Sequence, residues 1–254
     1  MNTYKITFSY NGSGFFGWQK QIDQKSIQGE IEKVVQKISK SQDIQVVGCG
    51  RTDAGVHAVK QVTRVKMPLK IEEDNLKNAL NSLLPESIRA SHVEMAHDNF
   101  QPVYDAKSKT YRYVFSLNKI SNPFLKDTVS FIGKDINLTK MNEACKIFIG
   151  SHDFEGFSTK GTPVKTTIRE ITKCHIFKEN INYGPGLSED VYIFEVSGSG
   201  FLKQMVRLVV SAVWSYAEGK IEERDILNQF NNPSENKIAP TAPPQGLYLF
   251  DVQY

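Results

Sequence analysis

Apolar and polar residues alternate at the start of the chain. Tyr4, Ile6 and Phe8 are set against Lys5, Thr7 and Ser9, the pattern of a half-buried strand. A glycine-rich turn carrying aromatics follows, from Asn11 to Trp18. Ser26 then offers an N-cap to a helix whose Ile27, Ile31, Val34, Val35 and Ile38 fall on one face. Lys33, Lys37 and Lys40 line its polar side. A strand from Ile44 to Val47 leads into a glycine-punctuated loop, and a further strand spans Val62 to Val65. Leu76, Ala79, Leu80 and Leu83 predict a second helix that Pro85 ends, and a strand from Ile88 to Met95 completes a β-α-β-β-α-β series.

The second half repeats this opening. Thr110–Phe115 reads as a strand, and a helix follows from a Thr139 cap with Met141, Ala144, Cys145 and Phe148 inward. Strands are expected at Ile168–Phe177 and Val191–Val196, joined through a loop around Asn182–Gly186. Helices are expected over Phe201–Glu218 and about Ile221–Phe230. A proline-rich turn, Pro240–Pro244, precedes a last strand at Leu247–Tyr254. The expected fold class is therefore α+β, with two ferredoxin-like βαββαβ halves sharing an antiparallel sheet and a central cleft at their junction. The expected division is an N-terminal subdomain over residues 1–104, carrying the glycine loop, and a C-terminal one over 105–254.

Composition narrows the partners. With 254 residues, 40% apolar and 23% charged, the chain is no disordered tract, and its core needs no disulfide or metal staple. The most apolar stretch, Met205–Trp214, is too short for a membrane span and is broken by Arg207 and Ser211. The opening Met1–Ile6 has no basic segment leading into an apolar one, so a cytoplasmic protein is expected. Three widely spaced cysteines, Cys49, Cys145 and Cys174, are expected to be reduced thiols. Cys174 and the adjacent His175 point to opposite faces of a strand and cannot share a metal, so no metal site is expected. Lys plus Arg is 31 against 28 for Asp plus Glu, a net charge of +3. That excludes a polybasic binder and leaves a locally basic one open.

Three stretches carry candidate chemistry. The loop Gly48-Cys49-Gly50-Arg51-Thr52-Asp53-Ala54-Gly55-Val56-His57-Ala58 fits neither a dinucleotide fingerprint nor a P-loop, and it presents one acid, Asp53, beside one guanidinium, Arg51. The plain alternative is an Asx-type turn with a surface ion pair. Arg207 lies in an otherwise apolar helix, and a buried guanidinium requires an anion; Asp53, Glu195 and Glu218 are the candidates. In Lys107-Ser108-Lys109-Thr110-Tyr111-Arg112-Tyr113, aromatics and cations share a strand, which suits a stacked nucleobase and its phosphate but equally suits a core stripe. Lys20, Lys25, Lys33, Lys37, Lys165, Arg169 and Lys173 add positive charge that either tracks a phosphate backbone or forms a solvated face.

In this order, Arg51-Thr52-Asp53-Ala54-Gly55-Val56-His57-Ala58, Lys109-Thr110-Tyr111-Arg112-Tyr113 and Phe201-Leu202 … Met205-Val206-Arg207 resemble the tRNA pseudouridine synthase A (TruA) family. The opening Tyr10-Asn11-Gly12 … Phe16-Gly17-Trp18-Gln19 and the closing Gly246-Leu247-Tyr248-Leu249 extend the resemblance over essentially the whole chain. The resemblance implies the pseudouridine synthase fold, a cofactor-free homodimer and action on uridines of the tRNA anticodon stem-loop, positions 38 to 40. It implies Asp53 as nucleophile and Arg207 as its partner. Tyr111 would lie against the target base, with Arg51 and Leu247 as further substrate contacts. The chain departs from the family pattern at Phe100-Gln101-Pro102-Val103-Tyr104, where a basic residue is usual, and at Lys203-Gln204. The competing expectations are a non-catalytic RNA-binding protein of the same fold and, from the glycine loop alone, an enzyme acting on a small phosphate-bearing molecule.

Overall fold

A computed structural model describes residues 1–159, 161, 164–234 and 236–254. Backbone contacts divide it into two compact units, Met1–Lys107 with Tyr248–Tyr254, and Ser108–Leu247.

The first unit follows the predicted series: β1 (Asn2–Tyr10), α1 (Ile27–Ser39), β2 (Gln45–Gly48), β3 (His57–Met67), α2 (Glu73–Leu83) and β4 (Ile88–Met95). β1 sits between β4 and β3, antiparallel to both. Tyr4, Ile6 and Phe8 are fully buried on one face of β1, while Lys5, Thr7 and Ser9 on the other are partly exposed. The apolar stripes of α1 (Ile27, Ile31, Val34, Val35) and α2 (Leu76, Leu80) complete this core. α1 begins where the sequence places it, because the Ser26 hydroxyl accepts from the Gly29 backbone N–H.

One edge of β3 is shared. β2 pairs antiparallel along Thr63–Lys66, and the chain's last strand, β10 (Leu247–Gln253), pairs parallel at His57 and Ala58. β3 thus starts five residues before Val62, and His57 and Ala58 belong to the strand rather than to the loop. The pairing of His57 with Tyr248, a residue far along the chain, extends the strand backwards.

The second unit holds β5 (Ser108–Ser116), β6 (Ser130–Phe131), α3 (Leu138–Ile147), β7 (Gly150–Asp153), β8 (Ile168–Gly184), β9 (Leu187–Gly198), α4 (Met205–Ala217) and α5 (Glu223–Asn231). Its antiparallel strands run in the order β5-β9-β8-β7, with β6 parallel to β5. Lys109, Tyr111, Tyr113 and Phe115 alternate on the buried face of β5, as their shared parity predicts. Trp214 of α4 meets Tyr113 and Phe115 edge-on, at 5.5 and 5.2 Å between ring centroids. Asn142 fastens α3 to β8 by exchanging two hydrogen bonds with the Ile176 backbone. On the opposite face, the segment after β5 folds back so that Leu125 and Val129 cover Val191 and Ile193.

Three boundaries move for local reasons. α3 is capped by Asn137, whose carboxamide accepts from both Thr139 and Lys140 backbone N–H groups, so Thr139 lies inside the helix. β8 and β9 run on past the expected ends at Phe177 and Val191 to a tight turn at Gly184–Leu187, because register pairing continues through Lys178–Asn182 and Ser188–Asp190. α4 begins at Met205 and not at Phe201, since Gln204 adopts a left-handed φ of 59° that breaks the helical path before it. Among the described residues no helix is long and apolar enough to cross a membrane.

Candidate active site

Asp53 stands on a loop whose backbone is held at several points within the first unit. At the start of the loop, Cys49 N–H donates to Val62 O (2.8 Å), and the Gln61 carboxamide, fully buried, donates to Gly50 O (2.8 Å). Trp18 N–H donates to Thr52 O (3.0 Å), and the Thr52 and Tyr10 hydroxyls lie 2.8 Å apart. Beyond Asp53 the chain reverses: Val56 N–H donates to Asp53 O (3.1 Å), with Gly55 at φ +78°, a turn that requires a positive φ at its third residue. Gly55 N–H also reaches Phe15 O. The carboxylate of Asp53 is half-buried, fixed by a backbone with little freedom to move.

The turn between β1 and α1 forms the other side of this cradle. A side chain at Gly12 would place its Cβ 2.0 Å from Val56 O, and one at Gly17 would sit 2.6 Å from Thr52 O. Only glycine allows so close an approach of two backbones, and Gly17 also takes φ +88°. Gly12 N–H donates to His57 Nδ1 (3.0 Å), which leaves the ring proton on Nε2. The buried His57 ring is stacked on Tyr248 at 4.7 Å. Arg51 is exposed and makes no ion pair among the described residues, so the surface pair with Asp53 offered by the plain reading of the loop does not form.

The other sequence-predicted residues lie in the second unit. Tyr111 is buried on β5 and meets Phe201 edge-on at 5.0 Å between centroids. Arg207 lies in the first turn of α4, partly exposed, on a helix of which eleven residues are buried. Its Nε donates to Ala242 O (2.7 Å), and Ala242 N–H returns to Arg207 O (3.4 Å). Tyr113 OH donates to Pro243 O (2.8 Å) from the same face. Burial pushes the Tyr113 phenol well above its usual range, and the nearby Arg207 charge pulls against that rise. The proline-rich segment therefore fixes the orientation of Arg207, and it ends in a short turn, Pro244–Gly246, that delivers the buried Leu247.

Two of the three carboxylates that could serve Arg207 are engaged elsewhere. Glu195 is buried on the face of β9 opposite Phe194 and Val196, between Arg112 (2.7 Å) and Lys173 (2.8 Å). Burial alone would raise its pKa, but the hydrogen bonds and charges of Lys173 and Arg112 outweigh that and hold it below the usual carboxylate range. Glu218 pairs with Lys134 (2.7 Å) and Lys220 (3.3 Å) at the other end of α4. Cys49, Cys145 and Cys174 are buried thiols that form no disulfide among the described residues. Among the described residues no three His, Cys, Asp or Glu side chains gather to hold a metal ion.

Sequence reasoning singled out Asp53, Arg207 and Tyr111 but not the residues that hold them. Gln61 carried a signal, a polar residue at core parity on β3 opposite Phe8. Ala242 and Pro243 carried none, because they act through backbone carbonyls.

A family model described as tRNA pseudouridine synthase matches residues 6–105 and 144–254. Curated relatives align along their length. A Bacillus cereus protein called tRNA pseudouridine synthase A 2 is 36% identical over the whole of both chains. The Oceanobacillus iheyensis tRNA pseudouridine synthase A is 38% identical over all of this chain and 97% of its own. A Caldicellulosiruptor bescii protein of the same name is 35% identical over the whole of both. With its mixed α+β architecture and the Asp53 loop in place, this chain belongs to the tRNA pseudouridine synthase family of isomerases.

Proposed function

We propose that this chain converts uridine to pseudouridine in tRNA, at positions 38 to 40 of the anticodon stem-loop, with Asp53 as the nucleophile. The observation that carries this reading is the Asp53 loop, whose carboxylate is half-buried and whose backbone is fixed by its own turn, by Gln61 and by the β1–α1 turn, in a chain of this family. The reaction breaks the C1′–N1 bond and joins C1′ to C5. The C5 hydrogen is lost to solvent and N1 gains one, so no electrons are exchanged with a cofactor. A carboxylate serves this chemistry by attack at C1′ or C6, or by taking a proton from C2′.

The other residues take supporting roles in the same reading. Arg207, its Nε already committed to Ala242, would serve as the cationic partner of Asp53; the occupation of Glu195 and Glu218 elsewhere favours this pairing. Uridine in a stem must leave the stack before it can react, and Tyr111 with Leu247 would pack against the displaced base. Arg51, exposed and unpaired beside the loop, would grip the backbone or fill the vacated space. The same reading makes the protein a homodimer acting in the cytoplasm.

Incubation with C5-tritiated tRNA, without added cofactor, tests the reading. Wild type should release tritium, and Asp53→Ala should release none while still binding tRNA. Binding by wild type without release would make the protein a non-catalytic RNA binder, and retained activity in Asp53→Ala would remove the nucleophile assignment.

A further inference from the structure

Three aromatic side chains are more than half exposed among the described residues: Phe16 (54%), Phe124 (75%) and Tyr104 (84%). Phe124 is accounted for by its stack on Tyr183, and Tyr104 lies in the turn that follows Gln101. Phe16 is different. Its neighbours Phe15 and Trp18 are buried at 5% and 3%, whereas this ring faces solvent. It is also held in place: Phe16 N–H donates to Lys25 O (2.9 Å), and Phe16 O accepts from the Gln21 carboxamide (3.1 Å). The ring is therefore available to a contact from outside, on a backbone held by two hydrogen bonds.

Its position gives it a use. The next residue, Gly17, lies against the Asp53 loop so closely that an added Cβ would be 3.1 Å from the Asp53 carbonyl carbon. Phe16 is one residue further out, about 3.8 Å along the chain. Phe16 thus belongs to the same turn that braces the Asp53 loop, and its ring is exposed there. When a uridine leaves the stack, its neighbour is left with a bare face that an aromatic ring can cover. The surroundings suit a polyanion: Arg51 is exposed without an ion pair, and the Lys25 ammonium lies 4.8 Å above the adjoining Phe15 ring.

We propose that Phe16 is a stacking platform for the nucleobase next to the reacting uridine. The proposal rests on the reading of the chain as a tRNA uridine isomerase and names one contact of that same site.

The test compares Phe16→Ala, Phe16→Leu and Phe16→Trp with wild type by Kd for an anticodon stem-loop RNA and by KM and kcat for tritium release. Phe16→Ala and Phe16→Leu should raise Kd and KM by roughly five- to 150-fold, the range expected for one base–aromatic stack, with kcat within about twofold. Phe16→Trp should restore both, and the melting temperature of all three should stay near that of wild type because the ring is exposed. A 2-aminopurine beside the target uridine should be quenched on binding wild type and Phe16→Trp, and not Phe16→Leu. Unchanged Kd in Phe16→Ala, or full rescue by the apolar but non-aromatic Leu, overturns the platform. Wild type that binds the stem-loop but releases no tritium overturns the catalytic reading instead, while the Kd series still decides the role of Phe16.

Discussion

Arg207 shows how much a single side chain depends on groups that the sequence does not advertise. Its helix is apolar, its neighbours Val206 and Leu208 are buried, and the guanidinium is anchored through Nε to a backbone carbonyl. In the sequence, Asp53, Arg207 and Tyr111 drew notice as an acid in a glycine-rich loop, a cation in an apolar helix and an aromatic among cations. Gln61 showed only as a polar residue at core parity, with its partner unannounced, and Ala242 did not show at all, since a backbone carbonyl leaves no mark in the residue type. Arg207→Leu preserves the apolar helix and removes the cation together with its hydrogen bond to Ala242 O. If Asp53 depends on that charge, kcat should fall by at least about a hundredfold, the ordinary effect of losing one close charge partner, while tRNA affinity changes by no more than a few-fold. Measuring kcat and Kd side by side decides it. An unchanged rate would mean that Arg207 serves only to hold the Pro240–Pro244 segment to α4.

At the scale of elements, strands and helices with a clear stripe were readable, and their contacts with distant segments were not. β1, α1 and β4 follow from alternation, from a Ser26 cap and from a regular apolar face. β3 was cut short because its first residues are made strand by distant partners, His57 by Tyr248 and Ala58 by both Leu249 and Tyr10. The β1–α1 turn was legible as a turn but not as a brace, because its role lies in how closely Gly12 and Gly17 meet the loop around Asp53. Gly12→Ala makes that role measurable. The added methyl would meet Val56 O at 2.0 Å, backbone against backbone, so one of the two segments must shift. A displacement of this size should cost about 1–3 kcal/mol of stability, and, if Asp53 acts as proposed, a misplacement of about 1 Å there should lower kcat about a hundredfold. Thermal melts with single-turnover tritium release check both. Loss of stability with undiminished kcat would show that the loop's own turn and Gln61 suffice to hold Asp53.

For the molecule as a whole, a net charge of +3 understates what an RNA would meet, because many of the 31 cations are already paired. Lys20 faces Glu32, Lys33 faces Glu30, and Arg112 and Lys173 share Glu195. Lys109, which the sequence placed on the same track, is buried at 9%. Lys37 and Arg51 remain exposed without an ion pair among the described residues. Exposed pairs such as Lys33 with Glu30 contribute under about 1 kcal/mol and yield easily to a phosphate, whereas the buried Glu195 keeps its two cations. The cations that dominate RNA binding should therefore be the unpaired ones near Asp53 and not the Arg112–Lys173 cluster. Log affinity for tRNA should fall linearly with log salt, and Arg51→Ala should reduce that slope by about 0.7–0.9, the change expected when one phosphate contact is lost. Lys173→Ala, on the exposed rim of the Glu195 cluster, should leave the slope within error. Titrations over a range of salt concentrations separate these outcomes: a larger change for Lys173→Ala than for Arg51→Ala would move the RNA from the Asp53 loop to the outer face of β8 and β9.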